Sequence, residues 1–403
     1  MEFSYSSLLL LSLVAAASPL LAEIPLGLRM PIVVLEIVLG ITVGPHVLGW
    51  ATPGPTIAVL SNLGLAFLFF LAGMEIDFEE LRGTPLVRAT EGWIISALLA
   101  AALVGGLWWM GVVKAPLLVG LALTTTAIGT LIPILRDGGV LETTLGRFVL
   151  GAGVAGEFFP ILAMSVLFST RFSTPVQLVF LLGFVALSLA AAWIALAARP
   201  SRIIALLERT LHATSQLPVR LAIFFMVALL VLAEHLGMDM ILGAFAAGIA
   251  VGLATRDEAG HALREKLETI GFGFFIPLFF VATGIKFDLA LFAGGGPALA
   301  RVPLFLALLL VVRGLPALWV YRRELDLRAR LRLGLFQATA LPLVVALTEI
   351  GLSTGVMVPE NGAALLGAGM LSVLIFPLLG LVLRSAPGMP QPTAGRSYRS
   401  EGL

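Results

Sequence analysis

The stretch Leu68-Phe69-Phe70-Leu71-Ala72 ends one long apolar segment, and Leu278-Phe279-Phe280-Val281-Ala282 repeats it in the second half of the chain. The residues that follow also match, since Gly73-Met74-Glu75-Ile76-Asp77 returns as Gly284-Ile285-Lys286-Phe287-Asp288 after a shift of one residue. A recurring segment of this kind predicts that the fold is built from two related halves.

Composition places these halves in a membrane. The 403 residues are 59% hydrophobic and 12% charged, whereas soluble domains average about 25% charged residues. A soluble core also stops growing at roughly 250 to 300 residues. Cysteine is absent and only 4 histidines are present, which argues against disulfides, a Cys-ligated metal and a thiol nucleophile. We expect no cofactor, no enzyme activity and, at a net charge of +1 without a basic stripe, no nucleic-acid partner.

Apolar runs of about 20 residues predict an all-α integral membrane protein with about 13 transmembrane helices. In chain order, the predicted spans lie near residues 5–25, 31–50, 57–75, 87–111, 115–136, 145–169, 175–198, 217–236, 239–255, 268–286, 301–321, 331–350 and 362–384. Most of the 25 Lys and Arg residues fall in loops that follow odd-numbered spans. The positive-inside rule then places the N-terminus outside and the C-terminus in the cytoplasm. The first span resembles a secretory signal, but residues 1–7 hold Glu2 and no Lys or Arg, so we expect it to be a retained helix.

The matches pair span n with span n+7, which forces the two copies into opposite orientations. Leu150-Gly151-Ala152-Gly153 in span 6, for example, returns as Leu366-Gly367-Ala368-Gly369 in span 13. Inverted repeats of this kind are typical of secondary transporters, although chance similarity between Leu- and Gly-rich helices is the alternative. The predicted organisation is a first six-helix repeat over 1–170, a linker span within 171–216, a second six-helix repeat over 217–384 and a disordered tail over 385–403.

Two charged residues fall midway along predicted spans. Glu157 lies in span 6 and Arg313 lies in span 11. A charge at such a depth costs about 2.5 to 3.5 kcal/mol on insertion scales, so it is usually functional or tightly paired. We predict that Glu157 binds the transported proton or monovalent cation, with a structural salt bridge as the alternative. Arg313 either compensates the charge of the carboxylate or has a purely structural role.

Spans 5 and 12 correspond in the repeat, and both are polar at their centres. Three consecutive threonines disfavour regular helix in span 5, and Pro342 removes a backbone hydrogen bond in span 12. We therefore predict two discontinuous helices, with helix-helix hydrogen bonding as the alternative use of these side chains. The predicted cation ligands there are Thr124, Thr125, Thr126, Gln337 and Thr339.

The other carboxylates lie nearer to predicted span ends. We interpret most of them, including Glu36 and Glu91, as solvated or snorkelling side chains.

The sequence resembles the Kef-type and sodium/proton exchanger branch of the bacterial monovalent cation:proton antiporters. The residues that carry the resemblance are Leu35-Glu36-Ile37 with Gly40 and Gly44-Pro45, Leu68 to Phe78, Leu242-Gly243-Ala244-Phe245 with Ala247-Gly248, and Gly271 to Gly284.

The resemblance implies a homodimer in which a scaffold of spans 1–3 and 8–10 supports a mobile core of spans 4–6 and 11–13. It also implies two broken helices that cross beside Glu157, with Arg313 at the place of a basic residue. The sequence departs from the family at Gly156-Glu157, where members usually carry Asp-Asp or Asn-Asp. Gln337 to Ala340 likewise replace a Pro-Arg-Gly-Glu-like stretch, which leaves sodium, potassium and lithium all open.

Our hypothesis is a secondary active transporter that exchanges a monovalent cation for protons at Glu157, with elevator-type alternating access. One titrating site favours one proton per cation and thus electroneutral exchange. The alternatives are another inverted-repeat carrier, such as a sodium-coupled organic anion symporter, and a non-transporting membrane scaffold or sensor.

Overall fold

The computed structural model describes residues 4–23, 31–76, 83–167, 174–197, 210, 213–255, 258–295 and 297–383. All regular structure in this part of the chain is helical, as predicted. The α-helices are α1 (Tyr5–Ala22), α2 (Ile32–Val43), α3 (Pro55–Met74), α4 (Thr84–Trp109), α5 (Pro116–Leu123), α6 (Ile128–Asp137), α7 (Thr144–Leu167), α8 (Thr174–Ala197), α9 (Leu217–His235), α10 (Met240–Ala254), α11 (Glu258–Ile270), α12 (Ile276–Lys286), α13 (Pro297–Val320), α14 (Leu327–Gln337), α15 (Pro342–Ser353) and α16 (Pro359–Val382). A π-helical turn, Gly271–Phe275, joins α11 to α12, and a 3-10 helix covers Leu289–Gly295.

The predicted spans are present in the described residues. Ten helical segments are long and apolar enough to cross a membrane, and three shorter apolar helices account for spans 2, 7 and 9. Two predicted boundaries are wrong. Span 2, predicted over 31–50, ends at Val43, because Gly44-Pro45 does not continue a helix. Span 10, predicted over 268–286, is preceded by the charged helix α11, which a search for apolar runs does not detect. The predicted tail and parts of the predicted linker lie outside the described residues.

The chain divides into two compact units. The first unit contains Met1–Asp77 and Phe159–Leu299, and the second contains Phe78–Phe158 and Ala300–Leu403. Apart from the ends of α7 and α13, the first unit therefore holds spans 1–3 and 7–10, and the second holds spans 4–6 and 11–13. This division follows the grouping of spans that the family resemblance implies.

Glycines allow the helices of the first unit to pack closely. A Cβ on Gly40 of α2 would lie 2.3 Å from the carbonyl oxygen of Val281 in α12, and a Cβ on Gly73 of α3 would lie 2.3 Å from that of Phe245 in α10. Span 2 thus packs on span 10 as span 9 packs on span 3. Spans 2 and 3 correspond to spans 9 and 10 in the repeat, so the contact of span 2 with span 10 is equivalent to the contact of span 9 with span 3. This equivalence supports the predicted inverted repeat.

Glu36 corrects one expectation in this unit. Its side chain was expected to be solvated or to snorkel, but it lies within α2 and is 4% exposed. The misassignment has a simple cause, because span 2 was predicted to extend to residue 50 and Glu36 then fell near one end.

The second unit contains the two predicted helix breaks. Residues 124–127 separate α5 from α6, and residues 338–341 separate α14 from α15. Proline at the first position of α15 has no amide hydrogen to donate, which suits the start of a helix. Buried apolar side chains pack α6 and α7 against α13 and α14, among them Leu135, Val149, Ala317 and Phe336. The breaks are therefore held in a packed core.

Candidate functional site

The two helix breaks contact each other directly. The amide of Ala127 donates to the carbonyl oxygen of Thr339 at 2.8 Å, and the hydroxyl of Thr126 donates to the carbonyl oxygen of Gln337 at 2.5 Å. Backbone groups at helix ends have no partner within their own helix. Each break here satisfies groups of the other, and the crossing of the two broken helices that the resemblance implies is formed.

Glu157 lies beside the start of α6. The amide of Ile128, the first residue of that helix, donates to Oε1 of Glu157 at 2.9 Å. The side chain is only 6% exposed. A helix N-terminus carries roughly half a positive charge and favours an anion, so this contact offsets part of the cost of burying a carboxylate. The break in span 5 thus leaves the Ile128 amide without a partner in its own helix, and this amide donates to Glu157.

Arg313 of α13 ties the two breaks to α7. Its Nη2 donates to Oγ1 of Thr126 at 2.8 Å and to the carbonyl oxygen of Ala152 at 3.0 Å. Its Nε donates to Thr126 Oγ1 at 3.1 Å and to the Gln337 carbonyl oxygen at 3.4 Å. Arg313 as a whole is 2% exposed. No carboxylate is among its hydrogen-bond partners in the described part of the chain. A cation beside the carbonyl end of α14 opposes the negative end of that helix dipole.

Gly156 leaves the space that Arg313 occupies. A Cβ at this position would lie 2.6 Å from Oγ1 of Thr126 and 2.9 Å from Nη2 of Arg313. An Asp or Asn at position 156, which is usual in the family that the sequence resembles, would require Thr126 and Arg313 to move. The guanidinium and the Thr126 hydroxyl fill the position before Glu157, and the site is built around one carboxylate.

The structure does not gather all predicted ligands around Glu157. Thr126 and Gln337 bind Arg313, and the Gln337 side chain also donates to the carbonyl oxygen of Arg313. The hydroxyls of Thr124 and Thr125 donate to carbonyl oxygens at the end of α5. Thr339 contributes its carbonyl oxygen to the crossing. The roles of these five residues as cation ligands, and of Arg313 in compensating charge, stay predictions.

Two serines of the site were not predicted. Ser96 of α4 lies 3.4 Å from Nη1 of Arg313. The hydroxyl oxygen of Ser372 in α16 accepts a hydrogen bond from the amide of Ala340 at 3.0 Å. The repeat alignment of Gly153 with Gly369 places Ser372 opposite Gly156, and that signal could have identified it.

A membrane fold with two crossing discontinuous helices and a buried carboxylate beside them defines the class of secondary transporters with broken helices. Residues 10–381 match the family described as "Sodium/hydrogen exchanger, transmembrane". The chain belongs to the sodium/hydrogen exchanger family, and the resemblance drawn from the motifs is confirmed.

Individual relatives agree with this assignment. The chain is 28% identical to the putative Na(+)/H(+) antiporter YjbQ of Bacillus subtilis, over 93% of the chain and 62% of YjbQ. It therefore spans less than two thirds of the length of that relative. It is 29% identical to the Na(+)/H(+)-K(+) antiporter GerN of Bacillus cereus, over 72% of the chain and 73% of GerN. These relatives are named as antiporters and not as enzymes.

The solved structure of the sodium proton antiporter MjNhaP1 from Methanocaldococcus jannaschii has a similar fold. The TM-score is 0.67 with 16% sequence identity, over 94% of this chain and 95% of MjNhaP1. At this identity the likeness concerns the fold, and it agrees with the helical architecture predicted from the sequence.

Proposed function

We propose that the protein exchanges a monovalent cation, Na⁺ or K⁺, for protons across a bacterial inner membrane. The observation that carries the proposal is Glu157, a carboxylate that is buried in a membrane helix and held at the start of a discontinuous helix. A buried ionisable residue in a membrane span marks an ion or proton pathway. The names of the relatives favour Na⁺, and the name of GerN includes K⁺.

In the proposed mechanism, a proton and a cation compete for the carboxylate of Glu157. A bare carboxylate is costly to carry through the apolar membrane interior, whereas a protonated or cation-bound one is less so. The core of spans 4–6 and 11–13 crosses only when Glu157 is neutralised, which is alternating access of the elevator type. With one carboxylate and one cation or one proton per crossing, the exchange is electroneutral. The protein acts as a homodimer, with its N-terminus outside and its C-terminus in the cytoplasm.

The contacts of Arg313 weigh against an organic anion symporter. Recognition of a carboxylate by Arg uses two parallel N–H groups. Here both Nη2 and Nε already donate to Thr126 and to backbone oxygens. A non-transporting scaffold would make Glu157 dispensable, and the experiment below distinguishes it from an antiporter.

The test is cation-driven proton flux in liposomes that contain a trapped pH dye. Na⁺ or K⁺ is added to the wild type, to Glu157→Gln and to Glu142→Gln, which changes an exposed glutamate of the same unit. We expect flux in the wild type and in Glu142→Gln, and none in Glu157→Gln. Full flux in Glu157→Gln, or none in any of the three proteins, would reject the proposal. Electroneutrality is checked by clamping the membrane potential at zero ion gradient, where a voltage-dependent exchange rate would contradict it.

A further inference from the structure

A cavity lies at the end of the second unit that the arginine distribution places in the cytoplasm. Its volume is about 450 Å³, and it opens between the first turns of α4 and the end of α13 with the turn that follows. Its lining combines charge with large apolar side chains. The residues that matter here are Arg88, Glu91, Ile94, Trp319, Arg322 and Arg323.

The charge in this cavity is predominantly positive. Arg88 is neutralised, since it pairs with Glu91 at 2.7 Å and with Glu324 at 2.9 Å. Arg322 and Arg323 are exposed and form no ion pair with a carboxylate in the described residues. The guanidinium carbon of Arg322 lies 5.4 Å from the ring centre of Trp319, a cation–π distance that orients the arginine. Two adjacent arginines that have no acidic partner among the described residues are suited to bind a phosphate group.

The apolar side of the cavity continues along the two helices. Ile94 and Trp319 are 50% and 62% exposed. One turn further into each span, Leu98 and Leu315 are 67% and 51% exposed. Residues four apart lie on one helix face, so each helix presents an apolar track that leads from the arginines into the membrane. A ligand that used both features would have an anionic head and an apolar tail.

We propose that this cavity binds an anionic phospholipid of the surrounding bilayer. The headgroup phosphate binds Arg322 and Arg323, and an acyl chain lies along the tracks of Ile94 with Leu98 and Trp319 with Leu315. Basic pockets between membrane helices on the cytoplasmic side are suited to anionic headgroups. A soluble phosphate would use the same arginines but would leave the apolar tracks without a function. The site is separate from Glu157 and does not depend on ion exchange.

The test is lipid retention by the full chain in a neutral detergent, measured by native mass spectrometry with phosphatidylglycerol or phosphatidylcholine. The wild type should retain phosphatidylglycerol in preference to phosphatidylcholine. The double variant Arg322→Ala/Arg323→Ala should bind it roughly thirtyfold more weakly, because each arginine near an anionic surface contributes to the attraction. The matched control is Arg328→Ala, which removes another exposed arginine from outside the cavity lining and should leave binding unchanged.

Two further variants separate charge from acyl-chain contact. Arg322→Lys/Arg323→Lys keeps the charge and should retain most of the binding, whereas Trp319→Ala should weaken it. Equal retention by the wild type and the double alanine variant would overturn the proposal. Displacement of the lipid by millimolar inorganic phosphate, with no effect of Trp319→Ala, would also overturn it and would identify a site for a soluble anion.

Discussion

The two helix breaks of the second unit share one plan. In each break, an amide turns toward the helix that follows in the repeat. Thr126 donates its amide to the carbonyl oxygen of Gly156 at 3.1 Å, and Ala340 donates its amide to the hydroxyl of Ser372 at 3.0 Å. Gly156 and Ser372 correspond when the two halves are aligned. Each break and the helix that it contacts therefore form an equivalent local structure, as an inverted repeat requires. We call these structures the first frame, residues 124–127 with α7, and the second frame, residues 338–341 with α16.

The chemistry of the two frames differs. Helix α6 begins with Ile128, whose amide binds Glu157, whereas α15 begins with Pro342, which has no amide hydrogen. The residue that corresponds to Glu157 is Val373, which is buried and apolar. Among the described residues, a glutamate is hydrogen-bonded to the first amide of the helix only at the first break. The repeat thus supplies two similar frames. The Glu157 carboxylate and the Ile128 amide make only the first of them a candidate ion site.

The largest expected effect comes from Arg313, which joins both frames. Arg313→Gln removes charge-assisted hydrogen bonds to Thr126 and to the Ala152 and Gln337 carbonyl oxygens, each contributing about 1.5 to 3 kcal/mol. The substitution also removes the cost of holding a charge in the membrane, which offsets part of this loss. We therefore expect a net loss on the order of 3 kcal/mol in the free energy of unfolding. We also expect a more than tenfold fall in the exchange rate.

Thermal melting in detergent and liposome flux would measure these two effects. Arg313→Lys should restore each only in part, because a lysine ammonium cannot span the same set of acceptors. If Arg313→Gln had the melting temperature and the flux of the wild type, the two breaks would not depend on the hydrogen bonds of Arg313.

Gly156→Ala should disturb the first frame alone. The added methyl group would lie within 3 Å of Thr126 and Arg313, and overpacking of this kind costs about 1 to 3 kcal/mol. We expect a lower melting temperature and slower exchange. Gly120→Ala in α5 is the matched control, since its Cβ would meet nothing within 4 Å. Equal behaviour of the two variants would mean that the space beside Glu157 is not restrictive.

Much of the difference between the two frames could be predicted from sequence, because it depends on residue types that are rare in membrane spans. A carboxylate, an arginine, three consecutive threonines and a proline stand out in apolar spans. The pairing of contacts could not be predicted. The sequence predicts for Arg313 either charge compensation of Glu157 or a structural role, and it does not indicate that the hydrogen bonds of Arg313 go to a hydroxyl and to carbonyl oxygens. Carbonyl groups released by a helix break carry no signature in the sequence.

Glu36 and Ser372 show two other limits. Glu36 was misplaced because the end of α2 depends on where the backbone stops being helical, which hydropathy does not define. Ser372 was overlooked because a serine in an apolar helix usually bonds to its own helix. Its hydroxyl does contact the Gly369 carbonyl oxygen at 2.7 Å, but it also serves Ala340. Its second role appears only when the helix break is placed beside it.

The smallest expected effect belongs to the second frame. Ser372→Ala removes the acceptor for the buried Ala340 amide, at a cost of about 1 kcal/mol. The exchange rate per folded protein should be unchanged, because no carboxylate is held at the start of α15. Ser165→Ala is the control. Among the described residues that buried hydroxyl donates only to the carbonyl oxygen of Ile161 in its own helix, at 3.0 Å, so its loss should be nearly neutral. If Ser372→Ala stopped exchange at normal stability, the second frame would take part in ion binding, and the contrast with the first would be one of degree.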